Sequence, residues 1–343
     1  MDSKRNVLII YTGGTIGMIK DASTGILAPF DFGQLEKQIP EINQLSTDVE
    51  TISFDTPIDS SNMGLEDWAL LAEMIRDNYE KYDGFVILHG SDTMAYTASA
   101  LSFMLQNLAK PVVLTGSQLP IGMVRTDGKE NFITSIEIAG DYQDGVPVVP
   151  EVCIYFEYQL YRGNRTHKAN TEHFEAFLSP NLPPLAEAGI HIKYNREIIR
   201  KCSNGVFSID TRMDNHVAVL SLFPGISEYI IEAALNIPQN KLLIMRTFGS
   251  GNAMTHSWFT NALEAAIKGG LIVVNVSQCQ GGGVMQGRYE TSSQLEEMGV
   301  LSGGDMSLEA ALTKSMHLIG KGLTGIDFKN TFCKNLRGEL TEY

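Results

Sequence analysis

The strongest constraint on this chain is an alternation of short apolar runs with segments of helical period. Runs at Val7–Tyr11, Thr51–Phe54, Phe85–His89, Val112–Thr115 and Val152–Phe156 are too short for buried helices and nearly continuous in their apolarity. Such runs suit strands covered on both faces, as in a parallel sheet, and the intervening Leu65–Tyr79 and Thr93–Leu108 have the period of covering helices. The expected class is therefore α/β, with a mainly parallel sheet. Beyond Phe156 the pattern lapses into polar, turn-rich sequence, "YRGNRTHKAN" and "SPNLPP", and stays weak to about residue 214. It then resumes, with strands expected at His216–Phe223, Leu242–Thr247 and Leu271–Val276 and helices at Glu228–Asn236, Thr255–Lys268 and from Ser307. A length of 343 residues, 43% of them hydrophobic and 19% charged, accommodates two cores. The expected organisation is a larger N-terminal α/β domain over 1–190, a linker over 191–214, and a smaller parallel α/β domain over 215–343.

In a parallel sheet all carboxyl ends open on one rim, and open α/β sheets bind their ligands there. Four first-domain exits carry hydroxyls: Thr12 and Thr15 in "YTGGTIG", Ser60 and Ser61 in "IDSSNM", Ser91 in "HGSDTM", and Thr115 and Ser117 in "LTGSQ". A fifth exit leads into a basic cluster containing Lys168. Taken singly these residues have plain explanations. Ser91 or Asp92 suits the N-cap of the next helix, a role worth about 1 kcal/mol, and Thr12 and Thr15 suit a turn. Glycine, asparagine or aspartate would serve such turns equally well, so hydroxyls at four exits point to one shared pocket.

Charge and motif spacing exclude several function classes. The formal charge is −14 and none of the 26 basic residues forms a block, which disfavours nucleic acid and acidic membranes as partners. Cys153, Cys202, Cys279 and Cys333 lie far apart without CxxC or Cys/His metal spacing, as expected of reduced thiols in a cytosol. No run has the form of a signal peptide or the length of a membrane span. "TGGTIG" has Thr12 where a dinucleotide loop needs glycine, it leads into the polar loop "DASTGILAPF", and no GK[ST] occurs. No cofactor and no metal is expected.

Six stretches, "YTGGTIG", "DGFVILHGSDTMAYTASALSFML", "KPVVLTGSQ", "LYRGNRTHKAN", "SPNLPPLAEAGIHI" and "GGDMSLEAALTK", together resemble the bacterial asparaginases of the cytoplasmic (type I) kind, in that family's order and over nearly the whole chain. The resemblance implies that Thr15 is a nucleophile and that Ser91, Asp92 and Lys168 form a proton relay. It implies substrate binding by Ser60 and Ser61, with Asp59 of the same turn, and a neighbouring subunit of a homodimer or homotetramer that supplies Asn252 from "FGSGNA". The expected reaction is hydrolysis of L-asparagine to L-aspartate and ammonia, with a broader glutaminase-asparaginase, or an inactive amino-acid sensor on the same scaffold, as the alternatives.

The chemistry suits those roles. Opening an unactivated amide requires a nucleophile, a route for its proton and donors for the developing oxyanion. Lys168 between Ser91 and Asp92 serves as relay if burial lowers its pKa. Amide N–H groups near Thr15 and Ser91 suit the oxyanion, Asp92 the substrate α-ammonium, and Ser60 its α-carboxylate. Two departures stand out. "HGSDT" has Ser91 where the family usually has threonine, losing the methyl that restrains χ1. "DASTGILAPF" lacks the usual tyrosine of the loop after the first motif, and Ile26 falls about where it would stand.

Overall fold

A computed structural model describes residues 4–20, 27–29, 39–285 and 290–342. Two compact units divide the chain, Met1–Thr211 and Arg212–Tyr343.

The first unit is built on an eight-stranded sheet. Its strands are β1 (Arg5–Tyr11), β2 (Thr47–Ser53), β3 (Gly84–Leu88), β4 (Val112–Thr115), β5 (Val152–Phe156), β6 (Gln159–Arg162), β7 (Ala186–Ala188) and β8 (Ile192–Tyr194), in the spatial order β8-β7-β6-β5-β4-β3-β1-β2. From β2 to β5 all pairings are parallel. From β5 to β8 they are antiparallel. Every residue of β3, β4 and β5 is buried, which is why these strands read as unbroken apolar runs. Helices α1 (Leu65–Asn78), α2 (Met94–Met104) and α3 (Gly128–Gly140) connect them. All of α2 except Tyr96 is buried, so it lacks the polar face of a surface helix.

Three features differ from the sequence reading. The helix expected to reach Leu108 stops at Met104, because Leu105 turns extended and Leu105–Gln106 pairs with Ser208–Ile209. The polar passage after Phe156 holds the antiparallel strands β6 to β8, too short to show an alternating pattern. The stretch 191–214, read as linker, carries β8 and the Ser208–Ile209 pairing, and the first compact unit runs on to Thr211.

The second unit is a four-stranded parallel sheet of β9 (Val217–Ser221), β10 (Leu242–Thr247), β11 (Ile272–Ser277) and β12 (Leu301–Ser302), adjacent in chain order. Its helices are α4 (Glu228–Leu235), α5 (Ser257–Lys268), α6 (Glu290–Glu297), α7 (Leu308–Gly320) and α8 (Gly325–Phe332). Strand β10 shows how the sheet separates two cores. Leu243 and Met245 pack with Phe259 and Leu263 of α5. Leu242 and Ile244 join Ala310 and Leu318 of α7 and Phe328 of α8. Ser307 caps α7 by accepting from the Ala310 N–H at 3.1 Å, as the serine before an apolar run suggests. A fully buried ion pair, Lys314 with Glu339, fastens the C-terminal segment to α7, and Lys314 also donates to the Lys334 carbonyl at 2.6 Å.

Candidate active site

The first loop leaves β1 at Tyr11. Thr12 is buried, and its N–H and hydroxyl both donate to the Leu88 carbonyl at 3.0 Å. Its own carbonyl accepts from the Ile58 N–H at 2.8 Å. Thr12 is thus the joint that ties the exit of β1 to that of β3 and to the segment before Ser60. Gly13 and Gly14 then adopt φ of 136° and 89°. A Cβ on Gly13 would lie 2.1 Å from the Ile58 carbonyl oxygen, and one on Gly14 would lie 2.5 Å from Gly90 N. Only glycine allows both the conformation and the approach. The turn delivers Thr15 half-buried at the head of a 3₁₀ turn, its hydroxyl without a hydrogen-bond partner among the described residues. Ile26 lies outside the described residues.

The second loop, Ser60–Asn62, is also a 3₁₀ turn. Asp59 caps it by accepting from Ser61 N at 2.9 Å and Ser61 Oγ at 2.7 Å. Those bonds, the hydroxyl's first, lower the Asp59 pKa. Asp59 and Ser61 are exposed and shape the turn, whereas Ser60 is 4% exposed and its hydroxyl has no partner among the described residues.

The third loop follows β3. The cap of α2 is Thr93, not Ser91 or Asp92, and the Thr93 hydroxyl donates to the Ser60 carbonyl at 2.7 Å. Ser91 and Asp92 are therefore not needed as caps. Both are instead engaged by Lys168, whose Nζ donates to Ser91 Oγ at 2.8 Å and to Asp92 Oδ1 at 2.5 Å. The Lys168 side chain is 14% exposed and that of Asp92 67%. Lys168 does not leave β5 directly. Strand β6 runs back from β5, and the chain then returns along α2, with a Cβ on Gly163 only 2.8 Å from Ala98 Cβ. A buried ion pair between Arg162 and Glu151 (2.6 Å) and a bond from Thr166 Oγ1 to the Arg162 carbonyl (2.7 Å) anchor this return.

Beneath the third loop lies a relay that motif reading misses. Trp68 Nε1 donates to Thr97 Oγ1 at 2.9 Å, Thr97 Oγ1 meets His89 Nε2 at 2.9 Å, and His89 Nδ1 meets the Gly90 carbonyl at 2.7 Å. His89 is fully buried, and burial lowers its pKa to about 4, so the ring is neutral. The sequence signal was a histidine closing the apolar run "FVILH".

The fourth loop is structural. Thr115 donates to the Tyr155 carbonyl at 2.9 Å and Ser117 to the Leu119 carbonyl at 2.6 Å. Asp127 accepts from Gln118 N at 2.8 Å and Leu119 N at 3.1 Å, and Asn131 donates to the Gly116 carbonyl at 3.0 Å. The structure thus sorts the hydroxyls of the rim. Thr12, Thr93, Thr115 and Ser117 donate to backbone carbonyls, Ser91 binds Lys168, and Thr15 and Ser60 have no partner among the described residues. Asn252 belongs to the second unit, in the turn after β10, where its backbone N–H and carbonyl bridge to Phe248 at 2.8 and 2.9 Å.

Comparisons with known proteins identify the family. A family model described as Asparaginase, N-terminal, matches residues 6–200, and one described as Glutaminase/Asparaginase C-terminal domain matches 216–332. The chain is 43% identical to L-asparaginase 1 of Escherichia coli strain K12, over 98% of each. It is 40% identical to the 60 kDa lysophospholipase of Mus musculus, over 99% of this chain and 63% of that protein. A crystal structure of L-asparaginase I from Vibrio cholerae superposes with a TM-score of 0.91 at 41% identity, covering 99% of this chain and 100% of that one.

His89 makes stability depend on pH in a stated direction. Its folded pKa, about 4, lies below the value of 6.5 for a free imidazole. Between those values the unfolded chain takes up a proton that the folded state refuses, so stability present above pH 6.5 is lost as the pH falls toward 4. The loss is expected to total about 3 kcal/mol from this residue. In urea unfolding at pH 7 and pH 4, wild type should lose about that much more stability than His89→Asn; equal losses would contradict the buried neutral ring.

Proposed function

The chain belongs to the asparaginase family and is an L-asparaginase, an amidohydrolase, and we propose that it opens the side-chain amide of L-asparagine with Thr15 as nucleophile. The observation that carries this reading is the close approach of Gly14 to Gly90, which sets a loop whose Thr15 hydroxyl has no partner among the described residues against the loop bearing Ser91 and Asp92, both held by Lys168.

Thr15 Oγ adds to the amide carbon and its proton leaves toward Ser91 and Lys168. The carbonyl π pair moves onto oxygen, where the N–H groups of Thr15 and Ser91, which have no acceptor among the described residues, receive it. The C–N bond breaks as the relay returns the proton to nitrogen, and ammonia departs. Water then cleaves the threonyl ester by the same relay, releasing L-aspartate. Ser60 holds the α-carboxylate within the turn shaped by Asp59 and Ser61, and the exposed carboxylate of Asp92 takes the α-ammonium. No metal and no cofactor enters this scheme. Asparagine is the preferred amide over glutamine.

The assembly is a homo-oligomer, a dimer or tetramer, in which Asn252 of a neighbouring subunit completes the site. The expected division of labour supports this: the N-terminal domain, 1–190, carries nucleophile and relay, and the C-terminal domain, 215–343, lends its loop to another chain. The four free thiols suit a cytoplasmic setting, and no described helix is long and apolar enough to cross a membrane.

Ammonia release with EDTA present tests the reaction. Thr15→Ala, Asp92→Ala and Lys168→Met should each lower kcat at least about 100-fold, the scale of one acid-base element. Ser91→Thr should remain active, because the hydroxyl survives. A Lys168→Met variant near wild type would refute the relay, and loss of activity only with chelator would refute the metal-free scheme. The shared site is tested by dissociating and reassembling inactive Thr15→Ala with inactive Asn252→Ala. Mixed dimers should recover roughly half of wild-type activity, since one of their two sites carries neither defect. No recovery despite subunit exchange would place Asn252 in its own chain's site.

A further inference from the structure

We propose that His89 is a positioning residue for the reaction, holding the Gly90–Ser91 peptide so that the Ser91 N–H stays aimed at the oxyanion. The inference rests on the proposed function but adds a residue that touches neither substrate nor nucleophile.

A carbonyl oxygen only accepts, so at the 2.7 Å contact with the Gly90 carbonyl His89 Nδ1 must carry the proton and donate. In a neutral imidazole the other nitrogen is then an acceptor. The hydroxyl proton of Thr97 is directed to His89 Nε2, 2.9 Å away. The Thr97 oxygen accepts in turn from Trp68 Nε1–H at 2.9 Å, which holds the hydroxyl in place. One threonine on α2, itself held by a tryptophan on α1, thus supports the Nδ1–H tautomer of a histidine at the end of β3.

Gly90 explains why such a restraint is needed. Its Cα has no room for a side chain, because a Cβ there would lie 2.5 Å from Ser60 Oγ. A glycine at this point leaves the next peptide free to rotate at little steric cost. In a trans peptide the C=O and N–H point in opposite directions. Drawing the Gly90 carbonyl toward the buried ring therefore turns the Ser91 N–H away from it, and a flipped peptide would present a carbonyl oxygen where a donor is required. The bond from His89 selects the productive orientation before substrate arrives.

The test combines kinetics with a direct view of the ring. Nitrogen-15 NMR of the wild-type enzyme at neutral pH should show His89 protonated at Nδ1 only. His89→Leu, which fills similar space without a donor, should lower kcat about 100-fold with KM within about threefold, the scale of one lost oxyanion donor. His89→Asn returns an N–H near the position of Nδ1 and should recover kcat to within about tenfold of wild type. Thr97→Val, which keeps the packing, should release the tautomer and lower kcat about tenfold; this variant carries the test if His89→Leu does not fold. The proposal is overturned if the wild-type ring is protonated at Nε2, if folded His89→Leu keeps its kcat, or if Thr97→Val changes neither spectrum nor rate. Those outcomes would leave Thr15→Ala and Lys168→Met inactive, so they are separable from failure of the asparaginase reading itself.

Discussion

The rim of the first sheet depends on two backbones meeting with no side chain between them. At Gly14 and Gly90 the first and third loops approach so closely that a Cβ on Gly14 would lie 2.5 Å from Gly90 N, and one on Gly90 the same distance from Ser60 Oγ. Three loops from different strand exits are thereby packed into one contact. Each residue next to that contact inherits a fixed place: Thr15 beside Gly14, Ser91 beside Gly90, and Ser60 against Gly90. The parallel pairing of β1, β3 and β4 brings the exits side by side, and the missing side chains let them close.

A second layer determines which hydroxyls are available for chemistry. Thr12, Thr93, Thr115 and Ser117 donate to carbonyls and act as fasteners, which leaves Thr15, Ser60 and Ser91 to face other groups. Lys168 reaches Ser91 and Asp92 because the chain from Gly163 runs back along α2 rather than onward from β5. The placement of a lysine that far along the chain rests on the buried Arg162 and Glu151 pair. Arg162 and Glu151 touch no reacting atom, yet breaking either member leaves a buried charge that costs several kcal/mol.

Much of this was legible in the sequence, and the limits have physical causes. Strands β1, β3, β4 and β5 announce themselves because both faces are buried, whereas β6, β7 and β8 are too short and too polar to show a period. The hydroxyl pattern located the rim, but it could not separate fasteners from reactive groups, since both need the same side chain at the same turn. Capping by Ser91 or Asp92 was a fair expectation from propensity; Thr93 holds the cap position instead, and its hydroxyl donates to the Ser60 carbonyl rather than accepting from a helix N–H. The Trp68, Thr97 and His89 chain was invisible because its members lie far apart in sequence and look like ordinary core residues. Asn252 carries the same ambiguity in sequence as in structure, since its backbone bridge to Phe248 is what any turn residue there would make.

The central claim is that the Thr15 hydroxyl, which has no partner among the described residues, attacks, while the Ser91 hydroxyl held by Lys168 moves protons. Rapid acid quench during turnover of L-asparagine, followed by proteolysis and mass spectrometry, addresses it directly. The account expects the acyl group on the peptide containing Thr15. An acyl group on the peptide containing Ser91 would contradict it, and would make the Ser91 and Lys168 contact at 2.8 Å the site of nucleophile activation.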